Sequence, residues 1–213
     1  MKRIIQSPLA HAEKTAIQWL VRHMPSAATP DHLTALGLTG ALIVFMGYAL
    51  CWISPHFIWL ASAGLAIHWL GDSLDGSLAR YRGIERPVYG FFLDQCVDVL
   101  GNLFICAGLG LSPFVHLGTA LFALTGYHML TIYALVSACQ DRIFRVTLLN
   151  SGPTELRVLL ILMNTFIAIF GTQTWNIHGV AFTWCDLTIG LFAGGFVVAF
   201  LYLVIIDARR LRG

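Results

Sequence analysis

Hydrophobic residues fill long uninterrupted stretches of this chain, and polar residues gather in the short segments between them. A helix of about 20 apolar residues is long enough to cross a bilayer. Stretches of about that length lie at 33–53, 56–79, 88–111, 113–139, 156–172 and 184–206. The pattern therefore predicts six transmembrane helices joined by short connections.

Residues 1–30 have a different, amphipathic pattern. From Ser7 and Pro8, a typical helix start, apolar residues recur on one face: Leu9, Ala16, Ile17, Leu20, Val21 and Met24. Two interpretations fit, a helix lying in the headgroup plane or a solvated helix that packs against a partner. We expect the first. The chain then has an N-terminal interfacial helix in 1–30 and a six-helix transmembrane domain in 31–213.

Composition agrees with a membrane protein. The chain has 57% hydrophobic and 11% charged residues and a mean hydropathy of +0.75, values too apolar for a soluble domain. The predicted class is an all-α integral membrane protein, surrounded by membrane lipids and with no nucleic-acid partner.

The basic residues predict the orientation. All thirteen flank the same ends of the predicted spans: Lys2, Arg3, Lys14, Arg22, Arg80, Arg82, Arg86, Arg142, Arg145, Arg157, Arg209, Arg210 and Arg212. The opposite loops contain no lysine or arginine. By the positive-inside rule, both termini and the basic loops are expected at the cytoplasmic face.

Four aspartates lie within the predicted second and third spans. On helices, two stripes form, one with Asp72, Asp75, Gly76 and Ala79 and one with Gly90, Asp94 and Asp98. An ionised carboxylate in hydrocarbon costs several kcal/mol, so intramembrane aspartates indicate a functional site. A short link, Tyr81 to Pro87, brings both stripes to one membrane face. The sequence therefore predicts a divalent-cation site at the cytoplasmic face, with small residues leaving space beside it.

The segment from Asp72 to Asp98 resembles the signature of the CDP-alcohol phosphotransferase family. That signature is D-x-x-D-G-x-x-A-R, a variable spacer, and G-x-x-x-D-x-x-x-D. Its eight fixed positions are filled by Asp72, Asp75, Gly76, Ala79, Arg80, Gly90, Asp94 and Asp98. Eight fixed residues at set offsets form a specific motif.

The resemblance implies a membrane transferase of phospholipid biosynthesis. Such an enzyme moves a substituted phosphate from a CDP-alcohol to an acceptor hydroxyl and releases CMP. Two Mg²⁺ or Mn²⁺ ions would neutralise the pyrophosphate. By resemblance, Asp72, Asp75 and Asp94 are metal ligands, and Asp98 is the general base that also touches metal.

The resemblance also implies which residues contact the nucleotide. Gly76 and Ala79 would make room for it, and Arg80 would pair with its phosphates. Asp75 and Gly90 would face the same substrate. Many members of the family are dimers, so a homodimer is expected.

The donor and acceptor are less well defined by the sequence. We favour CDP-diacylglycerol as donor and a small polar alcohol as acceptor. Arg142, Arg145 and Arg157 could grip a phosphate on that alcohol, although positive-inside arginines are common. The segment NSGPTELR at 150–157 instead resembles the choline/ethanolamine branch, which uses CDP-choline or CDP-ethanolamine and a lipid hydroxyl. Glu155 in it could equally be an acid in the first turn of a helix.

A divalent-cation transporter is an alternative of another class, because intramembrane aspartates also bind permeating ions. Arg80 and the Gly76/Ala79 stripe favour the transferase, since a nucleotide needs them and an ion pathway does not.

Two further features have structural interpretations. His68 lies one turn before Asp72, and we expect it to be a packing histidine bonded to the backbone rather than a site residue. Several glycines are expected to allow close helix packing: Gly37, Gly40, Gly47, Gly194 and Gly195.

Overall fold

The computed structural model of the protein describes residues 2–4, 10–141, 143–145, 152–177 and 180–212. Within these ranges the main elements are helices: α1 Ala10–Arg22, α2 Pro30–Leu50, α3 Ile58–Arg82, α4 Pro87–Gly110, α5 Leu117–Asp141, α6 Pro153–Phe170 and α7 Trp184–Arg212. Two pairs of short strands accompany them. The strands β1 Lys2–Ile4 and β2 Ile143–Arg145 are parallel, and β3 Thr174–Ile177 and β4 Val180–Thr183 are antiparallel.

Helices α2 to α7 follow the six predicted windows closely. Proline supplies the first residue of α2, α4 and α6, where its missing N–H has no helical partner to lose. Helix α3 ends at Arg82 and is capped by Gly83, whose φ of 66° is the left-handed conformation that glycine adopts without strain. The boundaries therefore follow from local sequence.

Among the described residues, five helices are long and apolar enough to cross a membrane: α2, α4, α5, α6 and α7. Helix α3, which contains His68, Asp72 and Asp75, is not among them. It nevertheless packs along α2, and among the described helices this pair has the most extensive contact. An all-α membrane protein is thus supported, and a sixth span through α3 stays a prediction.

Glycines permit the close contact of α2 with α3. A Cβ atom added at Gly71 would lie 2.2 Å from the Gly37 backbone nitrogen. One added at Gly40 would lie 2.4 Å from the His68 nitrogen, and one at Gly47 would lie 2.4 Å from the Ala61 nitrogen. The predicted packing role of Gly37, Gly40 and Gly47 is confirmed.

Helix α6 is joined to this pair by a buried polar network. The Tyr48 hydroxyl donates to Asn164 Oδ1 over 2.9 Å, and Asn164 Nδ2 donates to Ser62 Oγ over 3.0 Å. All three side chains are buried. Such bonds stabilise helix association where water is excluded, so they fix α6 against both α2 and α3.

Helix α1 packs against α3. Val21 forms a buried apolar cluster with Leu33, Leu74 and Leu78. This contact agrees with the alternative interpretation of residues 1–30, a solvated helix that packs against a partner. A position of α1 in the headgroup plane stays a prediction, and Trp19, which is 60% exposed, lies outside the contact.

Polar contacts hold the connecting segments together at each end of the helices. At one end Arg82 donates to the backbone oxygens of Met24, Pro25, Ser26 and Ala28, and Arg86 pairs with Asp31. At the other end Asp186 accepts from the backbone nitrogens of His116 and Thr183. The connection between α3 and α4 therefore lies against the segment that joins α1 to α2.

The glycine contact predicts the effect of added volume. In Gly71→Ala the new methyl group would meet the Gly37 backbone, which a side-chain rotation cannot relieve. We expect a loss of about 1–3 kcal/mol of stability, measured as a lower melting temperature in detergent.

Gly195→Ala is the matched control. A Cβ added at Gly194 or Gly195 meets nothing within 4 Å among the described atoms, so the packing role predicted for these two glycines within the protomer is wrong. Equal melting temperatures for Gly71→Ala and Gly195→Ala would contradict the packing argument.

Candidate active site

Three of the four predicted aspartates converge where α3 meets α4. Asp72 comes from α3, and Asp94 and Asp98 come from successive turns of α4. One carboxylate oxygen of each lies within 4.8 Å of those of the other two, and all three residues are partly buried. An all-oxygen donor set of this kind fits Mg²⁺ or Mn²⁺. We call these three residues the carboxylate cluster.

Asp75 lies one turn from Asp72 on α3 and is anchored to α2. Its Oδ2 atom accepts a 2.7 Å hydrogen bond from Thr34 Oγ1, and its Oδ1 atom accepts a 2.5 Å bond from the Gly76 backbone nitrogen. Asp75 is not part of the cluster. Its predicted role as a further metal ligand stays a prediction.

Arg157 on α6 supplies a positive charge directly to the cluster. Its Nη2 atom lies 2.6 Å from Asp72 Oδ2, and the residue is only 8% exposed. From its sequence position Arg157 is expected near an acceptor phosphate, and the ion pair with Asp72 is not predicted. The two residues are 85 positions apart, and local spacing carries no information about such a contact.

His68 joins the same group from one turn away. Its Nδ1 atom lies 3.0 Å from the Gly37 carbonyl oxygen, which confirms the predicted backbone contact. Because a carbonyl only accepts, Nδ1 donates and Nε2 is left to accept. Arg157 Nη2 lies 3.3 Å from that Nε2 atom. His68 is therefore bonded both to α2 and to the arginine that contacts the cluster.

The remaining residues of the motif line the more open side of α3 and α4. Arg80 is exposed, donates to Ser77 Oγ over 3.1 Å and has its guanidinium group beside Gly76. Ala79 is partly buried, and Gly90 is exposed with nothing within 4 Å of an added Cβ among the described atoms. Space for a bulky group is thus present beside Gly90, whereas the Arg80 guanidinium group lies beside Gly76.

The other predicted acceptor residues are only partly described. Arg142 lies outside the described residues. Arg145 belongs to β2, and its side chain is not described. Glu155 accepts a 2.8 Å bond from the Gly152 backbone nitrogen at the start of α6. This is the contact that the helix-start interpretation of Glu155 requires.

Comparison with known proteins extends the likeness well beyond the motif. A model of the CDP-alcohol phosphatidyltransferase family matches residues 27–192. Over 104 residues the chain is 30% identical to the archaetidylinositol phosphate synthase of Pyrococcus horikoshii. That match covers 46% of this chain and 55% of the relative, so the chain spans about half the length of that protein.

The family match includes the carboxylate cluster, Asp75 and every helix from α2 to α6, and it covers well over half of the chain. The chain therefore belongs to the CDP-alcohol phosphatidyltransferase family, a family of transferases that act in membrane phospholipid synthesis.

Proposed function

We propose that the protein transfers the phosphatidyl group of CDP-diacylglycerol to the hydroxyl of a small phosphorylated polyol. A bond forms between the acceptor oxygen and the phosphorus of the phosphatidyl group. The bond from that phosphorus to the oxygen of CMP breaks, and CMP leaves. The observation that carries this proposal is the carboxylate cluster, formed by three aspartates of the family motif within 4.8 Å.

The aspartates would hold the divalent cations. Asp72, Asp94 and Asp98 provide the oxygen ligands, and Asp75 provides a further one from the next turn of α3. The bound ions, Mg²⁺ or Mn²⁺ and two in number by resemblance, would neutralise the pyrophosphate of the donor. Thr34 would hold Asp75 in place from α2 through its 2.7 Å bond.

Asp98 is the proposed general base. It lies one turn further along α4 than Asp94, where its carboxylate would contact both a cation held by the cluster and the incoming hydroxyl. A base must lie within hydrogen-bond reach of the proton that it takes. In this arrangement Asp98 accepts the proton of the acceptor hydroxyl as the new bond forms.

Arg80 is proposed to pair with the phosphates of the nucleotide. Its guanidinium group lies next to Gly76, where an added Cβ would lie 3.4 Å from the Arg80 Nη1 atom. A larger residue at position 76 would therefore crowd Arg80 and the bound donor. Ala79 and Gly90 would keep the adjoining surface open for the nucleotide.

A phosphorylated acceptor is supported by two observations. Arg157 brings a guanidinium group to the cluster, with Arg142 and Arg145 on the connection before it in sequence. The Pyrococcus relative is named for a product that contains an inositol phosphate. A CDP-choline or CDP-ethanolamine donor with a lipid acceptor is the second candidate, but the capping contact of Glu155 already accounts for the residue that favoured it.

We further propose that this end of the molecule faces the cytoplasm. Arg80, Arg82 and Arg86 border the connection between α3 and α4, the two helices that carry the cluster, and the positive-inside rule assigns basic connections to the cytoplasm. Both termini would lie there too, with α1 at the headgroups. A homodimer remains part of the proposal.

The proposed function predicts which acceptor releases CMP. Purified protein with radiolabelled CDP-diacylglycerol would be incubated with serine, glycerol 3-phosphate, inositol or inositol phosphate, and the lipid products would be resolved. We expect CMP and a new lipid only with a phosphorylated polyol. CMP release only with an unphosphorylated acceptor would contradict the acceptor assignment, and no CMP release with any of the four acceptors would contradict the proposed reaction of this donor.

The cluster predicts an absolute need for divalent cation. We expect turnover to stop in excess chelator and to return with Mg²⁺ or Mn²⁺. Asp72→Asn and Asp94→Asn should be inactive yet inserted in the membrane, because the change in shape is small and a ligand charge is lost. Asp31→Asn is the control, since Asp31 pairs with Arg86 outside the cluster. Full turnover in chelator would rule out the metal role.

If Asp98 is the general base, Asp98→Asn should lose turnover but keep metal and donor binding. The amide keeps the shape and cannot take a proton, so we expect turnover to fall by roughly 10²–10⁴-fold, with metal and donor binding within about tenfold of the parent. Equilibrium binding and initial rates would be measured on one preparation. If this variant loses metal-dependent nucleotide binding as fully as Asp72→Asn, Asp98 is a ligand and another group is the base.

A further inference from the structure

Arg157 is already bonded to a carboxylate that the proposed function assigns to a cation. Its Nη2 atom lies 2.6 Å from Asp72 Oδ2, while His68 Nε2 lies 3.3 Å away on the same nitrogen. The two hydrogens of Nη2 can serve both acceptors. With the residue 8% exposed, Asp72 is its charge partner in a nearly dry environment.

A divalent cation in the cluster would change this pairing. The cation and the guanidinium group both attract Asp72, and they repel each other across a few Å of poorly screened surroundings. His68 cannot compensate, because its Nε2 atom accepts a hydrogen bond without carrying a negative charge. Cation binding therefore weakens the hold of Asp72 on Arg157.

The phosphate of the acceptor would offer Arg157 a second anion close by. The acceptor hydroxyl must reach Asp98, whose carboxylate oxygen lies within 4.8 Å of that of Asp72. A phosphate on the same small polyol thus comes within reach of the long arginine side chain. Guanidinium groups bind phosphate with two parallel hydrogen bonds.

We propose that Arg157 exchanges Asp72 for the acceptor phosphate when the cluster binds divalent cations. Cation binding and acceptor binding are then coupled, and each favours the other. The proposal rests on the proposed function in one respect, namely that the acceptor carries a phosphate.

The movement is confined to the arginine side chain. Helix α6 is fixed on both sides of Arg157. After Arg157 in the chain, Asn164 is hydrogen-bonded to Tyr48 and Ser62; before it, Thr154 donates a 2.8 Å bond to Glu13. His68 is fixed by the Gly37 carbonyl. A rotation of the Arg157 side chain can therefore change its anion while the helices and the histidine stay in place.

Linkage makes the coupling measurable in the unmodified protein. If the acceptor raises the affinity for Mn²⁺ by some factor, Mn²⁺ raises the affinity for the acceptor by the same factor. Mn²⁺ binding to purified protein in detergent would be followed by the electron paramagnetic resonance signal of the free ion. We expect inositol 1-phosphate to tighten Mn²⁺ binding by about tenfold and inositol, which lacks the phosphate, to have no effect.

Arg157→Met isolates the exchange. Methionine is unbranched like arginine but lacks the guanidinium charge that competes with Mn²⁺ for Asp72. We therefore expect Mn²⁺ to bind this variant about tenfold tighter than the parent when no acceptor is present. Inositol 1-phosphate should then add no further tightening. Arg86→Met is the matched control. It removes another 2.6 Å arginine–aspartate pair outside the cluster and should leave both Mn²⁺ affinities unchanged.

The outcomes separate the exchange from the proposed function. If Arg157→Met binds Mn²⁺ no more tightly than the parent, or more weakly, Arg157 only supports Asp72 and the exchange is overturned. If inositol 1-phosphate binds the parent without changing Mn²⁺ affinity, the exchange fails and the acceptor assignment survives. If equilibrium dialysis detects no inositol 1-phosphate bound, both fail. Should Arg157→Met not fold, the titration of the parent decides alone.

Discussion

Acidic side chains in an apolar helix bundle require compensating charges or hydrogen bonds, because unpaired carboxylates are costly away from water. The protein meets this requirement differently for each aspartate of α3. Asp72 pairs with Arg157 of α6, and Asp75 accepts hydrogen bonds from Thr34 and the Gly76 backbone. The compensation for α3 thus comes from the two helices beside it, and the site depends on how closely those helices approach.

The close packing of α2 on α3 is the condition for two polar contacts at the site. Gly37 has no side chain, which lets the Gly71 backbone approach it, and its carbonyl oxygen then accepts from His68 Nδ1. The same approach brings Thr34, one turn earlier on α2, within 2.7 Å of Asp75. The glycines in the α2–α3 interface therefore determine the positions of the His68 and Asp75 side chains.

The sequence predicted the helices and the stripes of aspartates because these depend on local spacing. Proline starts, hydrophobic length and an i, i+4 repeat are properties of a single helix. The pairing of Arg157 with Asp72 was missed, because it depends on how α6 docks against α3. The same limit explains Gly195: a glycine in a span can line an interface or face outward, and the choice depends on which face of α7 packs inward.

Helix α1 adds a constraint that connects the N-terminal segment with the site. A single oxygen of Glu13 accepts bonds from Trp69 Nε1, Ser73 Oγ and Thr154 Oγ1, at 3.0, 3.3 and 2.8 Å. Ser73 adjoins Asp72 in sequence, and Thr154 lies one turn before Arg157. One carboxylate thus fixes the separation of α3 and α6 beside the ion pair. The distance over which Arg157 reaches Asp72 is therefore set partly by a helix outside the predicted spans.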